Sequence, residues 1–160
     1  MPSERRETTS VLVRDGGAAL LLDAGTGARR LVDDPRLLEG VDELTVLLTH
    51  FHLDHICGLA YLPGLTLVPD IWAPGRWLYG QSSPSLLEPV LSTPWSPFAQ
   101  ERFGAIHELE DGLQRIGQFE VRTRGQLKHW APTVGVRLSD AIALITDTAF
   151  DEATAARTHY

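Results

Sequence analysis

The chain has 160 residues, 43% of them hydrophobic and 22% charged, with a formal net charge of -7 and a pI near 5.3. That length suits one buried core, so a single soluble domain over residues 1–160 is expected, and the acidic balance argues against a broad basic face for nucleic acid. No apolar run approaches the roughly 20 residues that cross a bilayer, no apolar segment follows the charges at the start, and a single cysteine, Cys57, excludes an internal disulfide or a thiolate-rich zinc knuckle, so the expected location is cytoplasmic.

Residues 10–14 and 18–23 read as aliphatic strands joined by Asp15-Gly16-Gly17, a hairpin turn signal. Asp23-Ala24-Gly25-Thr26-Gly27 then breaks the pattern. Residues 44–49 form a continuous apolar strand of the kind buried on both faces. Asp54 is placed to cap a short helix that runs to Leu62 and stops at Pro63-Gly64. Seven of the ten prolines fall between residues 63 and 97, together with Trp72, Trp77, Tyr79 and Trp95, so an ordered but irregular excursion is expected there. It is read as a loop insertion over 63–104 that either walls a substrate or covers the core. One short helix begins near Ser83-Pro84 and is interrupted at Pro89. Strands return at 118–124 and in a hairpin of 134–138 with 141–147 about Ser139-Asp140, and 151–157 is helical in composition.

The densest chemistry is His50-Phe51-His52-Leu53-Asp54-His55, four residues able to hold a metal within six positions. In an extended chain, side chains at i, i+2 and i+4 share a face, so His50, His52 and Asp54 converge, with His55 reachable if the chain turns. A helix rotates a side chain by roughly 200° over two positions, which separates His52 from His50; a strand end followed by a loop fits better. Imidazole and carboxylate donors without thiolate suit Zn²⁺, with Mn²⁺ or Fe as other candidates. Other residues carry bland readings: Cys57 a small buried thiol, His107 a surface histidine, Arg122 and Arg124 a solvated strand face or a guide for an anionic substrate, Trp130 a pocket wall or core residue. A phosphate-binding glycine loop at Gly25-Thr26-Gly27 lacks both the third glycine of a dinucleotide fingerprint and a P-loop lysine.

His50-x-His52-x-Asp54-His55 after an apolar strand resembles the signature of the metallo-β-lactamase-fold hydrolases. Asp23 before Ala24-Gly25-Thr26-Gly27, His129 before Pro132-Thr133-Val134-Gly135, and Asp147 in Thr146-Asp147-Thr148 resemble later and earlier motifs of that superfamily in their order. The combination is most similar to its ribonuclease Z-like branch, which contains phosphodiesterases. The resemblance implies an α/β, αββα sandwich of two mixed sheets with outer helices. It also implies two divalent ions, one held by His50, His52 and His129, the second by Asp54 and His55, with Asp147 bridging. Asp23 would buttress the histidine loop by hydrogen bonds, and Asp54 would orient or deprotonate a nucleophile. The implied activity is a metal-dependent hydrolase using a metal-bridging hydroxide on phosphodiester bonds.

The same pattern continues beyond the bridging aspartate with further strands, a glycine-histidine segment and a final histidine, and begins with an extra glycine-rich strand. The sequence given lacks these, so it is read as an N-terminal portion with an incomplete second metal site, and His159 is a poor fit for the missing ligand. Its second sheet is then expected to be short and partly uncovered on its inner face, which invites a homodimer. Two other activities stay open: an esterase, thioesterase or lactonase of the same superfamily, and a catalytically inactive metal-binding chain. The expected partner is a small-molecule or phosphodiester substrate, with no membrane.

Overall fold

The computed structural model of the chain describes residues 6–94, 96, 102–126 and 130–148. Two strands, β1 (Val11–Asp15) and β2 (Ala18–Leu22), form the expected hairpin, with Gly16 at φ 52° in its two-residue turn. β3 (Glu43–Leu47), β4 (Asp70–Ala73) and β5 (Ile106–Glu108) add in parallel, giving a five-stranded sheet of order β1-β2-β3-β4-β5. The second sheet, β6 (Gly112–Ile116), β7 (Phe119–Gln126), β8 (Thr133–Leu138) and β9 (Ile142–Leu144), is antiparallel throughout its described residues.

Parallel neighbours need crossovers, and helical segments supply them. A 3-10 turn (Thr26–Arg29), α1 (Arg30–Asp33) and a second turn (Pro35–Leu38) link β2 to β3. α2 (Leu53–Ile56) and a 3-10 segment (Cys57–Gly64) link β3 to β4, and α3 (Gly75–Tyr79) with α4 (Ser83–Leu91) precede β5. The period-2 alternation of β2 then divides the core. Ala19 and Leu21 join Val46, Ile71, Ile56, Leu59, Leu62, Leu87 and Leu91 under the helices. Leu20 and Leu22 face the other way and join Leu47, Ile116, Val121, Val134 and Val136 between the sheets. The molecule is thus a mixed α/β sandwich of two sheets with helices on the outer face of the first.

Several expectations change. The stretch 63–104 holds a strand and two helices rather than an irregular loop. Pro89 lies inside α4 rather than ending it, because Leu87 and Leu91 bury one face of that helix at 0% and 2% exposure and outweigh the lost backbone bond. Asp54 does not cap α2. The cap position is His52, and Asp54 stands in the first turn. The inner face of β6 to β8 is covered, with Ile116, Val121 and Val134 at 0% exposure; only β9 is largely exposed. Trp130 is 98% exposed and no part of the core. Arg122 and Arg124 lie on the outer face of β7, where with Arg137, Glu120 and Asp140 they line a shallow groove of about 470 Å³. His107 is no plain surface residue; its ring stacks on Trp72 at 4.6 Å and 22° and lies 3.3 Å from Asp70. Residues 151–157, His159, Trp95 and His129 lie outside the described residues.

Candidate metal centre

The end of β3 is tied to both sheets. Leu48 N donates to Trp72 O of β4 at 2.9 Å, and Val134 N of β8 donates to Thr49 O at 3.0 Å. His50 is thereby delivered to the junction, fully buried, and the chain stays extended through His52 (φ -66°, ψ 145°) before turning into α2. The rings gather as the i, i+2 spacing requires: His50 and His52 lie 4.5 Å apart between centroids, and His50 and His55 4.2 Å.

Asp23 organises this cluster from below. It follows β2 in the left-handed region at φ 56°, a conformation aspartate tolerates better than most side chains. Its carboxylate is wholly buried and accepts from Thr49 N at 2.7 Å, from the Thr49 hydroxyl at 2.9 Å and from His55 Nδ1 at 2.8 Å. A carboxylate only accepts, so His55 carries its proton on Nδ1 and the Thr49 hydroxyl spends its single proton on Asp23. The Thr49 oxygen, 3.0 Å from His50 Nδ1, must then accept from a proton on that nitrogen. One buried acid thus assigns the tautomer of two histidines and leaves Nε2 of each as the lone-pair nitrogen. Thr49 was invisible to sequence reasoning, although its place directly before His50 at a strand end was a signal for such a relay.

Both Nε2 atoms turn toward Asp147. Its Oδ2 lies 3.6 Å from His50 Nε2 and 3.3 Å from His55 Nε2, and Asp54 Oδ2 lies 3.6 Å from His55 Nε2. Asp147 also sits in the left-handed region, at φ 51°, beyond β9. Among the described residues, two groups of three have donor atoms all within 4.8 Å of one another: His50, His52 and Asp147, and Asp54, His55 and Asp147. Asp147 belongs to both. Nitrogen and carboxylate donors in two triads with a shared acid fit a pair of divalent cations. Five of the six ligating residues expected from the sequence are brought together, and the sixth, His129, lies outside the described residues.

The electrostatics suit a cation. Burial alone pushes the His55 imidazole toward its neutral form, but the hydrogen bond and charge of Asp23, with Asp147 and Asp54 nearby, prevail and raise its pKa above 6.5. Asp54 keeps 56% of its side chain exposed, so it borders solvent while His50 and His55 do not. Cys57 is half-buried, and burial pushes its thiol up, which makes it a weak ligand or nucleophile.

Comparison with known proteins agrees with this geometry. The model of the metallo-beta-lactamase superfamily matches residues 4–125, and the chain belongs to that superfamily. Ribonuclease Z of Thermococcus kodakarensis is 27% identical over 137 residues, covering 84% of this chain and 42% of that protein. Ribonuclease Z of Methanopyrus kandleri is 37% identical over 86 residues, or 53% of this chain and 29% of its own. The chain therefore spans less than half the length of these curated relatives. Among solved structures, a diphosphatase of the PhnP family superposes with a TM-score of 0.71 at 19% identity, covering 98% of this chain and 59% of that one, a likeness of fold.

Proposed function

We propose that this member of the superfamily carries the metal-binding part of a metal-dependent hydrolase that acts on phosphodiester bonds. The observation behind the reading is the pair of donor triads that share Asp147; the sequence likeness to ribonuclease Z supports the substrate class. His50, His52 and Asp147 would hold one divalent cation, with His129 as the further sequence-based ligand, and Asp54, His55 and Asp147 the second. Bound there, such ions supply Lewis acidity, making a nearby water more acidic and offsetting negative charge that develops on the phosphoryl oxygens.

The remaining work falls to the chain. Asp23 and Thr49 fix the imidazoles with Nε2 directed into the site. Asp54, half in solvent, would accept a proton from the attacking water on a carboxylate oxygen. His50 and His55, both buried, keep bulk water from the inner side of the cluster. Zinc- or manganese-loaded chain incubated with bis(p-nitrophenyl) phosphate tests the reading. Metal-dependent release of nitrophenol is expected. Two bound ions with no phosphodiester cleavage, against turnover of p-nitrophenyl acetate, would instead assign an ester substrate.

A further inference from the structure

We propose that Tyr79 is a positioning residue of the metal centre, its phenol joining the loop of His50 and His52 to the loop that enters β8. This rests on the metal-dependent reading above. The Tyr79 ring meets Phe51, the residue between the two histidines, edge-on at 5.2 Å and 82°. Its hydroxyl donates to the Pro132 carbonyl at 2.7 Å. One side chain therefore joins two segments that come from different sheets, its ring against Phe51 and its hydroxyl on Pro132. Burial pushes the phenol pKa up, so it remains a protonated donor at neutral pH.

The helix that carries Tyr79 is itself held on three sides. Arg76 N at its first turn donates to Glu108 at 3.0 Å. Gly80, in the left-handed region at φ 67°, ends it immediately after Tyr79. Below it, β7 presents Gly125, where a Cβ would stand 3.2 Å from Trp77 Cζ2 and 3.5 Å from Leu78 Cδ2, so α3 packs closely on the sheet there. The phenol is thus a fixed point, and the His50-Phe51-His52 segment is referenced to it. A direct backbone hydrogen bond between these segments runs from Val134 N to Thr49 O. Removing the phenol oxygen leaves the ring on Phe51 without its tie to Pro132, and the histidine segment can then shift relative to β8.

Tyr79→Phe keeps the ring against Phe51 and removes only the bridge. With the intact 160-residue chain and Zn²⁺ as probe, competition against a chromophoric chelator should show affinity falling about 10- to 100-fold, the range for outer residues that orient metal ligands. The metal-free melting temperature should fall by only about 2–4 °C, as expected for one hydrogen bond in a domain of this size. Leu78→Ala, which loosens α3 without touching the bridge, serves as control and should keep zinc affinity within about threefold at a similar loss of melting temperature. Wild-type affinity in Tyr79→Phe overturns the inference, and so does an equal loss in Leu78→Ala, which would reduce the effect to helix stability. A wild-type chain that takes up no zinc overturns this and the functional reading together.

Discussion

Replacing Asp23 by asparagine tests the tautomer assignment with little change of shape. Asparagine also accepts φ 56°, and its amide oxygen can keep the bond from Thr49 N. The amide nitrogen must then face the Thr49 hydroxyl and His55 Nδ1, where Asp23 now accepts at 2.9 and 2.8 Å. Both contacts reverse: His55 Nδ1 becomes an acceptor, the Thr49 hydroxyl swings to donate to His50 Nδ1, and each histidine carries its proton on Nε2, toward Asp147. Two charge-assisted bonds become neutral ones, a loss of about 1 kcal/mol each, or roughly 2 kcal/mol together. For a chain of this length that is a melting temperature lower by about 4–8 °C. Metal affinity should fall by at least 10- to 100-fold, since a proton must leave each ligating nitrogen before a cation binds. The pH dependence has a definite sign. His55 is raised above 6.5 in the folded chain, so its contribution to stability is fully present below 6.5 and is lost as pH rises through the raised value. Differential scanning calorimetry of the metal-free proteins should show the wild-type advantage widest near pH 6 and narrower at pH 8. A zinc affinity unchanged in Asp23→Asn would refute the relay from Asp23 through Thr49 to His50, and a stability gap that does not narrow with pH would refute the His55 pairing.

His50→Ala should abolish zinc uptake by the triad it shares with His52 and Asp147, and undiminished metal content by mass spectrometry would remove His50 from the ligand set. Gly58→Ala puts a Cβ 2.0 Å from Gly25 O and 2.7 Å from Ala24 O, on the contact that seats α2 beside Asp23; a loss of about 1–3 kcal/mol with weakened metal binding is expected from denaturation and chelator competition. Burial pushes the Glu108 carboxyl up, but the N–H groups of Arg76 and Ser83, the Ser83 hydroxyl and the Arg76 charge together hold it below 4.5. Its stabilisation is therefore present above 4.5 and lost as pH falls through the lowered value, so Glu108→Gln should cost about 1–2 kcal/mol at pH 7 by urea titration, with the gap closing toward pH 3.

What could be read from the sequence was whatever the chain specifies locally. Asp15-Gly16-Gly17 dictates its hairpin, the apolar run before His50 dictates a buried strand, and contiguity gathers His50, His52, Asp54 and His55. The losses share one cause, dependence on distant partners. β4 and β5 have four and three residues, among prolines and polar side chains, and become strands because β3 offers β4 a parallel edge and β4 offers one to β5. β6, with Gly112, Gln114 and Arg115, is likewise defined by β7 across it. Pro89 would end a helix in isolation, yet Leu87 and Leu91 hold α4 together through the core. Asp54 has the right chemistry for a cap, but its carboxylate turns instead toward His55, 3.6 Å from Nε2. His107 reads as a surface histidine in the sequence because Trp72, its stacking partner, is 35 positions away.

The shared acid explains why the site belongs to the sandwich rather than to either sheet. The histidines arrive from the end of β3 in the first sheet, while Asp147 arrives beyond β9 at the end of the second. They meet only when Leu20, Leu22 and Leu47 of one sheet are packed on Val121, Val134 and Val136 of the other. A cation bound by both sides consequently favours the packed state over any state with the sheets apart, by about 2.7 kcal/mol at a free concentration one hundred times its dissociation constant. Without a cation, the carboxylates of Asp23, Asp54 and Asp147 all face His55, and like charges gathered at one point repel, so the same cluster that recruits metal weakens the metal-free sandwich.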